Sequence, residues 1–259
     1  MSWIGQLLDF ERRGDVFVAN NARHGHGDRL FGGLIGAQAL AAAGETVDPD
    51  KVPQSLHLYF VRGGEYDVDV ELEVERTRDG RSFDTRRVTA VQHGKTILEM
   101  IASFHRPEPA ADWQAPRKPL LDFDIALPKE SALGFAGRFD IRVIPGDDSL
   151  FAVPPFWIRT REVIEDDALT RACMLTFMSD FGPVPVARPP GTVLDEEKGY
   201  AASLDHAVWF HRPFRPDQWH LYEVRCVNHN DSRGLVAGSL YDSAGVLVAS
   251  TTQEALWRV

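Results

Sequence analysis

The amino-acid sequence predicts an α+β fold of two tandem units, each with a long buried helix wrapped by an antiparallel β-sheet. Two stretches have helical character and few polar side chains, and strand-like runs follow each of them. Matching features of the two halves are also evenly spaced. The Phe-His-Arg sequence at 210–212 follows the Phe-Val-Arg sequence at 60–62 by 150 positions, and Gly245 follows Gly94 by 151. This spacing indicates duplication of one structural unit.

Length and composition are those of a globular protein. The 259 residues are 44% hydrophobic and 25% charged, which provides enough apolar side chains for a sizeable core. The formal net charge of −10 argues against a general affinity for nucleic acid or anionic membranes, and no apolar run is long enough to span a bilayer. The N-terminus lacks the pattern of a secretory signal, and Cys173 and Cys226 lie in no paired motif. We expect a cytoplasmic protein with two buried, reduced thiols.

The first half begins with a helix of small residues. Between Phe31 and Gly44 the only polar side chain is that of Gln38, and glycine is a typical helix end. Gly32 and Gly33 leave the first amides of this helix accessible, which suits an anion or a developing oxyanion, although close packing alone would also explain them. Strands are predicted at 55–62, 67–75, 82–92 and 95–104, and the alternation at 67–75 is that of a half-buried antiparallel strand.

The second half repeats this plan after a proline-rich segment. Residues 108–135 are expected to link an N-terminal unit, 1–107, to a C-terminal unit, 136–259. A second helix is predicted from Asp166 to Asp180, and it is apolar on nearly all sides, so it should be buried. Strands are predicted at 150–163, 203–212, 219–227, 234–241 and 246–259.

Asp180 is a residue that helix stability does not explain. It lies at the negative end of the helix dipole, where a carboxylate costs roughly 0.3–1 kcal/mol. It also shares a helix face with Thr176 and Phe177. Such an aspartate is more often solvated than catalytic. In an apolar pocket, however, its pKa would be raised, which suits a general base near neutral pH.

Four motifs in register resemble the acyl-CoA thioesterase II family. They lie at 29–33, at 78–83 with 86–88, at 204–206 with 209–212, and at 248–254. The likeness covers nearly the whole chain. It implies a double hot-dog fold and hydrolysis of fatty acyl-CoA to free fatty acid and CoA, with no cofactor and no metal. It also implies a homo-oligomer, either a dimer or a tetramer.

The resemblance places the active site in the second unit. In the family an aspartate, a threonine and a glutamine position a hydrolytic water, and by motif position these fall on Asp180, Ser203 and Gln253. Serine keeps the hydroxyl of threonine but loses a methyl group, so its rotamer is less restricted. We further expect the backbone amide of Gly33 or Leu34 to hold the oxyanion from across the interface between the units.

One catalytic centre per chain is expected. Ser103 lies near the position where the first half would need a glutamine, and the first helix offers no carboxylate before Glu45. The CoA contacts are unassigned, and a concentration of arginines is a candidate for them. These are Arg76, Arg78, Arg81, Arg86 and Arg87.

Two alternatives remain open at this point. A hydratase or dehydratase acting on an acyl thioester would need an Asp–His pair, which His24, His26 and Asp28 could supply. The same three residues have the spacing of metal ligands, but no further ligand cluster accompanies them, so we expect no metal site. The second alternative is a non-catalytic acyl-CoA-binding protein with the same fold.

Overall fold

A computed structural model describes residues 2–23, 29–115, 123–128, 135–143, 155–165, 167–189 and 199–258. Its helices are α1 (Trp3–Leu7), α2 (Gly32–Gly44), α3 (Ala168–Ser179) and α4 (Pro183–Val186). With 13 and 12 residues, α2 and α3 have an ordinary rather than a long span. Asp167 caps α3 by accepting a hydrogen bond from the backbone amide of Thr170. The predicted first residue of this helix, Asp166, is outside the described residues.

The predicted strands occur in the predicted order, with ends that differ by a few residues, and further strands at 11–13, 16–19, 127–128 and 139–143 lie outside the predictions. In the first half they are β1 (Glu11–Arg13), β2 (Val16–Ala19), β3 (Val52–Phe60), β4 (Val70–Asp79), β5 (Phe83–Gln92) and β6 (Lys95–His105). In the second half they are β7 (Leu127–Pro128), β8 (Phe139–Val143), β9 (Phe156–Thr160), β10 (Tyr200–Ser203), β11 (Asp205–Phe210), β12 (His220–Asn230), β13 (Arg233–Asp242) and β14 (Leu247–Arg258). The predicted strand 150–163 falls partly outside the described residues.

Within the described ranges these strands form one antiparallel sheet. Its order is β1-β2-β4-β5-β6-β3-β11-β14-β13-β12-β9-β8-β7, and β10 pairs with β14. The two halves meet where β3 pairs with β11. His57 lies opposite Ala207 at the centre of this pair, and the flanking pairs are symmetric about it: Tyr59 opposite Asp205 and Ser55 opposite Trp209. The 150-residue repeat therefore corresponds to a local two-fold relationship between β3 and β11.

The helices α2 and α3 pack antiparallel in the core, so that the start of α2 meets the end of α3. A Cβ atom at Gly33 would lie 2.5 Å from the carbonyl oxygen of Phe177, and one at Gly44 would lie 2.4 Å from the side chain of Leu169. Every residue from Gly33 to Ala43 is buried. The small side chains of α2 are therefore required by the close approach of α3.

The proline-rich segment predicted as a linker is partly attached to the second half. β7 pairs with β8, and Ala126 packs against Trp157 and Leu221. The Gln114 side chain accepts a hydrogen bond from the amide of Leu247 and donates one to the carbonyl of Gly245. Parts of 108–135 thus belong to the folded sheet.

Both cysteines are free, but only Cys173 is buried. The expectation that Cys226 is buried is wrong, because it lies where β12 extends beyond the part covered by β9 and becomes exposed. Among the described helices none is both long and apolar enough to cross a bilayer.

Candidate active site

Asp180 lies where the end of α3 meets the start of α2. It forms the C-cap of α3, and 9% of its surface is exposed. Its Oδ2 accepts a hydrogen bond of 2.8 Å from the backbone amide of Gly33, and its Oδ1 accepts one of 3.1 Å from Nε2 of Gln253. The positive end of the α2 dipole therefore faces the carboxylate and offsets the unfavourable end of α3.

Burial controls the protonation of Asp180. It raises the pKa of this carboxyl group to about 7, even though the hydrogen bonds from Gln253 and Gly33 favour the ionised form and lower it. A carboxyl group with this pKa is ionised in a large fraction of molecules at neutral pH and can also hold a proton. These are the properties of an effective general base or acid.

The structure brings Ser203 and Gln253 together with Asp180. Gln253 is buried on β14, and its Nε2 donates both to Asp180 and to Oγ of Ser203, the second bond being 2.7 Å long. Ser203 ends β10 and lies opposite Ala255 of β14, which places its hydroxyl beside the Gln253 side chain. The three predicted side chains therefore form one hydrogen-bonded group.

The predicted oxyanion role of Gly33 and Leu34 conflicts with the hydrogen bonds that their amides make. The Gly33 amide is engaged by Asp180, and the Leu34 amide donates to the carbonyl of Phe31 at 3.1 Å. An amide that already donates within the protein is not free to stabilise an oxyanion. In this structure Gly33 orients the carboxylate instead.

A cavity of about 610 Å³ opens at this group and is lined by both halves of the chain. Asp180 and Ser203 are among its polar residues. Its apolar wall includes Leu30, Phe31, Ile35, Phe60, Ile97, Val184 and Leu256. Arg29 and Arg62 also line it, and Nη1 of Arg29 donates to the hydroxyl of Tyr200 at 2.8 Å. This combination of size, apolar wall and few polar groups is typical of a small-molecule site.

Three of the five arginines in the cluster that was a candidate for CoA binding are engaged within the protein. Arg86 is 1% exposed and donates to the hydroxyl and carbonyl oxygens of Thr46, to which Arg76 also donates. These cations stabilise the negative end of α2. Because α2 has 13 residues, they lie about 20 Å from its other end, where Asp180 is bound. Arg87 is paired with Glu75 and Glu99.

His24, His26 and Asp28, the candidates for a hydratase pair or a metal site, lie outside the described residues. Within the ranges that the structure describes, no group of three or more His, Cys, Asp and Glu side chains could hold a metal ion.

The first half carries no second copy of this group among its described residues. The repeat matches Ser203 with Pro53, since Ser203 is opposite Ala255 and Pro53 is opposite Phe104. It matches Gln253 with Ala102, whereas the sequence alone had pointed to the neighbouring residue, Ser103. Glu45 forms the C-cap of α2, as Asp180 does for α3, but it is exposed.

A buried polar network beneath Asp180 was missed by the sequence argument. The hydroxyl of Tyr222 donates to the carbonyl of Ser179 at 2.8 Å and also contacts Oγ1 of Thr251 at 3.0 Å. Oγ of Ser179 lies 2.8 Å from Nε2 of His206. Burial lowers the pKa of His206 to about 4, so its imidazole is neutral at physiological pH. Alternation places these side chains on inner faces, but it does not reveal which of them meet.

Comparison with known proteins identifies the family. The model of the acyl-CoA thioesterase N-terminal domain matches residues 21–105, and that of the C-terminal domain matches residues 106–257. Acyl-coenzyme A thioesterase 8 of Homo sapiens is 38% identical over 259 aligned residues, which cover 89% of this chain and 81% of that protein. This chain belongs to the acyl-CoA thioesterase II family.

Solved structures agree with this assignment. The thioesterase resembles the crystal structure of the acyl-CoA thioesterase II TesB2 from Mycobacterium marinum with a TM-score of 0.81 and 34% identity, over 99% of this chain and 97% of that one. A hot-dog protein from Alicyclobacillus acidocaldarius has a TM-score of 0.82 at 19% identity, covers 100% and 99% of the two chains, and supports the fold alone. The enzyme is a hot-dog thioester hydrolase that acts on acyl-CoA.

Proposed function

We propose that this thioesterase hydrolyses fatty acyl-CoA to free fatty acid and CoA with a water molecule that Asp180 deprotonates and that Gln253 and Ser203 orient. The observation that carries the proposal is the buried carboxylate of Asp180, with a pKa of about 7, joined through Gln253 to Ser203 at the wall of an apolar cavity. A base is most effective when its pKa lies near the working pH.

The reaction needs one proton carrier. Ionised Asp180 takes a proton from the water while the oxygen of that water attacks the thioester carbonyl carbon. The carbon–sulfur bond then breaks, the acyl group leaves as the fatty acid, and the CoA sulfur receives the proton held by Asp180. Gln253 donates to both Asp180 and Ser203 and so fixes their positions, and the Ser203 hydroxyl, whose hydrogen is free to bond the water, holds it in line for attack. This positioning lowers the entropic part of the barrier.

The two ends of the substrate suit different parts of the cavity. Its apolar side chains, such as Ile35 and Phe60, match an acyl chain. Arg29 and Arg62 supply positive charge in a protein with a net charge of −10, and they suit the anionic CoA moiety. These two arginines replace the cluster at 76–87 in our assignment of the CoA contacts.

Thiol release from a series of short- to long-chain acyl-CoAs, measured for the wild type and Asp180→Asn, tests the proposal. Removing a positioned base is expected to lower kcat by about 10²–10⁴. Asp48→Asn, at an exposed loop position, is the matched control and should retain the wild-type rate. Equal rates for wild type and Asp180→Asn would overturn the assignment of the base.

We also propose a cytoplasmic homo-oligomer, a dimer or tetramer, with units at 1–107 and 136–259 joined through 108–135. Tyr59, Ile101 and Trp209 are 55%, 52% and 40% exposed on the neighbouring strands β3, β6 and β11, and apolar patches of this kind favour association. Light scattering should give a mass that is a multiple of 29.0 kDa, whereas a monomer would contradict the proposal. Fractionation of the source cells tests the location.

A further inference from the structure

His206 and Gln253 face each other across two neighbouring strands. β11 and β14 are antiparallel, and their pairing ends with Ala207 opposite Thr252. Continuing this register by one residue brings His206 beside Gln253. Directly opposite residues project from the same face of a sheet. Both side chains are buried, with exposures of 1% and 2%. The imidazole therefore lies against the amide that contacts Asp180 and Ser203.

One polar atom of each side chain in this pair needs a hydrogen-bond partner. Nδ1 of His206 and Oε1 of Gln253 are both shielded from solvent, and neither forms a hydrogen bond of standard geometry within the described residues. Hydrogen bonding to Gln253 nevertheless acts on the imidazole, since it opposes the lowering of the His206 pKa by burial. A buried polar atom without a partner is costly. Because Oε1 can only accept, the pair is satisfied when Nδ1 carries the hydrogen.

Ser179 decides between the two tautomers. Its Oγ lies 2.8 Å from Nε2 of His206 and 3.0 Å from the carbonyl oxygen of Thr176, and its single hydrogen can go to only one of them. With the proton on Nε2, Ser179 would keep its bond to Thr176, but Nδ1 and Oε1 of Gln253 would be two acceptors facing each other. With the proton on Nδ1, that pair is satisfied and the Ser179 hydroxyl donates to Nε2 instead. Gln253 presents its nitrogen to the carboxylate of Asp180 and to Ser203. If the amide of Gln253 were rotated by 180°, Oε1 would face the ionised carboxylate, and the two oxygens would repel each other.

The internal repeat shows that the fold does not need a polar pair here. Leu56 is the counterpart of His206, Ala102 is the counterpart of Gln253, and Leu56 lies opposite Ala102 in the pairing of β3 with β6. This apolar pair is buried in the half whose helix ends at an exposed Glu45. Histidine and glutamine occur together only in the half that carries Asp180.

We propose that His206 is a positioning residue of the active site, whose Nδ1–H holds Oε1 of Gln253 so that the Gln253 amide nitrogen stays directed at Asp180 and Ser203. The proposal rests on the function proposed for Asp180. Without the imidazole, Gln253 can rotate, and the carboxylate of Asp180 loses a donor that favours its ionised form. The pKa of Asp180 then rises. Among the other titratable groups nearby, Asp205 raises and His57 lowers the pKa of the His206 imidazole, and Tyr222 lies close enough to Asp180 to interact with its charge.

Three variants of His206 test the proposal in a thiol-release assay. His206→Leu reproduces the apolar residue of the first half. His206→Asn keeps an N–H donor near the place of Nδ1, and His206→Gln places its amide nearer to the place of Nε2. We expect His206→Leu and His206→Gln to lower kcat by up to about 10²-fold with KM little changed, because the water is misplaced. The acidic limb of their pH profiles should move to higher pH, and His206→Asn should retain most of the wild-type kcat.

The tautomer can be observed in the wild-type enzyme, which does not depend on the folding of a variant. Nitrogen-15 NMR of histidine-labelled protein should show His206 as neutral with the proton on Nδ1. A proton on Nε2, a wild-type kcat and pH profile for His206→Leu, or an equal loss for His206→Asn and His206→Leu would each overturn the proposal. If Asp180→Asn is inactive while His206→Leu is fully active, only the role of His206 fails. Full activity of Asp180→Asn would refute the proposed base itself.

Discussion

The backbone amide of Gly33 donates a hydrogen bond of 2.8 Å to Oδ2 of Asp180. This bond joins the start of α2 in the first half to the C-cap of α3 in the second half. The carboxylate therefore depends on both halves: α3 positions it, and α2 supplies an amide and a positive dipole end. In the function that we propose, duplication of the unit thus provides a catalytic half and a supporting half within one chain.

The rate of hydrolysis should depend on the ionisation of Asp180. Because burial raises its pKa to about 7, the reactive carboxylate is lost as the pH falls below this value. We expect kcat to decrease about tenfold for each pH unit well below pH 7 and to level off above it. His206, with its pKa lowered to about 4, is already neutral over this range. Thiol release at saturating acyl-CoA between pH 5 and 9 measures this profile, and a flat rate across the range would contradict it.

Asp180→Asn should gain stability relative to the wild type as the pH rises towards neutrality. The pKa of Asp180 is raised from 3.8 to about 7 on folding, so the native state holds a proton that the unfolded state has lost between these values. Stability therefore falls as the pH rises from about 4 to about 7, and the total effect is on the order of 4 kcal/mol. Asparagine carries no charge at any of these pH values.

Urea unfolding of the wild type and Asp180→Asn at pH 4.5 and pH 8 measures this effect. The free energy of unfolding of the variant minus that of the wild type should be larger at pH 8 than at pH 4.5. An equal difference at the two pH values would show that burial does not raise the pKa of this carboxyl group.

Asp180 could be singled out from the sequence because the features that make it unusual are local. An aspartate at the wrong end of an apolar helix is visible from helix spacing and dipole alone. The longer strands could also be predicted from local signals, since alternation and glycine turns place them to within a few residues. The short strands β1, β2, β7 and β8 were not predicted, because so few residues carry no clear alternation. Ser203 and Gln253 required the family resemblance, because an isolated serine or glutamine on a strand carries no signal of its own.

Residues whose partners come from distant segments could not be assigned in this way. The amide of Gly33 looked available because the sequence does not show that α3 ends against it. Arg86 looked like a phosphate ligand because the sequence does not show the end of α2 beside it, where Thr46 accepts its hydrogen bonds. The pairing of His206 with Gln253 depends on the register of β11 and β14, which only the structure provides.

Lys51→Met should destabilise the fold without affecting the catalytic group. Nζ of Lys51 lies 2.7 Å from Oδ1 of Asp84, and the two side chains are 4% and 2% exposed. Removing the lysine leaves a buried carboxylate without its cation, which typically costs about 3–5 kcal/mol. Arg13→Met, which breaks an exposed ion pair with Glu11, is the control and should change little. Unfolding in urea measures both variants, and equal stabilities would contradict the importance of the buried pair.

Ser203 should be replaceable by threonine but not by alanine. Its Oγ accepts a hydrogen bond of 2.7 Å from Nε2 of Gln253, and threonine offers the same oxygen. Ser203→Ala removes this acceptor and a group that orients the water, so kcat should fall about tenfold, which corresponds to one hydrogen bond. Ser203→Thr should stay near the wild-type kcat. Steady-state kinetics with one acyl-CoA compares the two variants, and an active Ser203→Ala would remove Ser203 from the mechanism.

Gly32→Ala should impair catalysis through direct contact with the carboxylate. A Cβ atom at this position would lie 2.7 Å from Oδ2 of Asp180 and 2.8 Å from Cζ of Phe60, so at least one of these groups must move. A displacement of the base by about 1 Å can cost up to 10²-fold in rate. Gly137→Ala is the matched control, because a Cβ atom there meets nothing within 4 Å. Thiol release should therefore fall for Gly32→Ala and stay unchanged for Gly137→Ala at equal thermal stability. If Gly32→Ala keeps the wild-type kcat, the carboxylate does not need the position that the structure gives it.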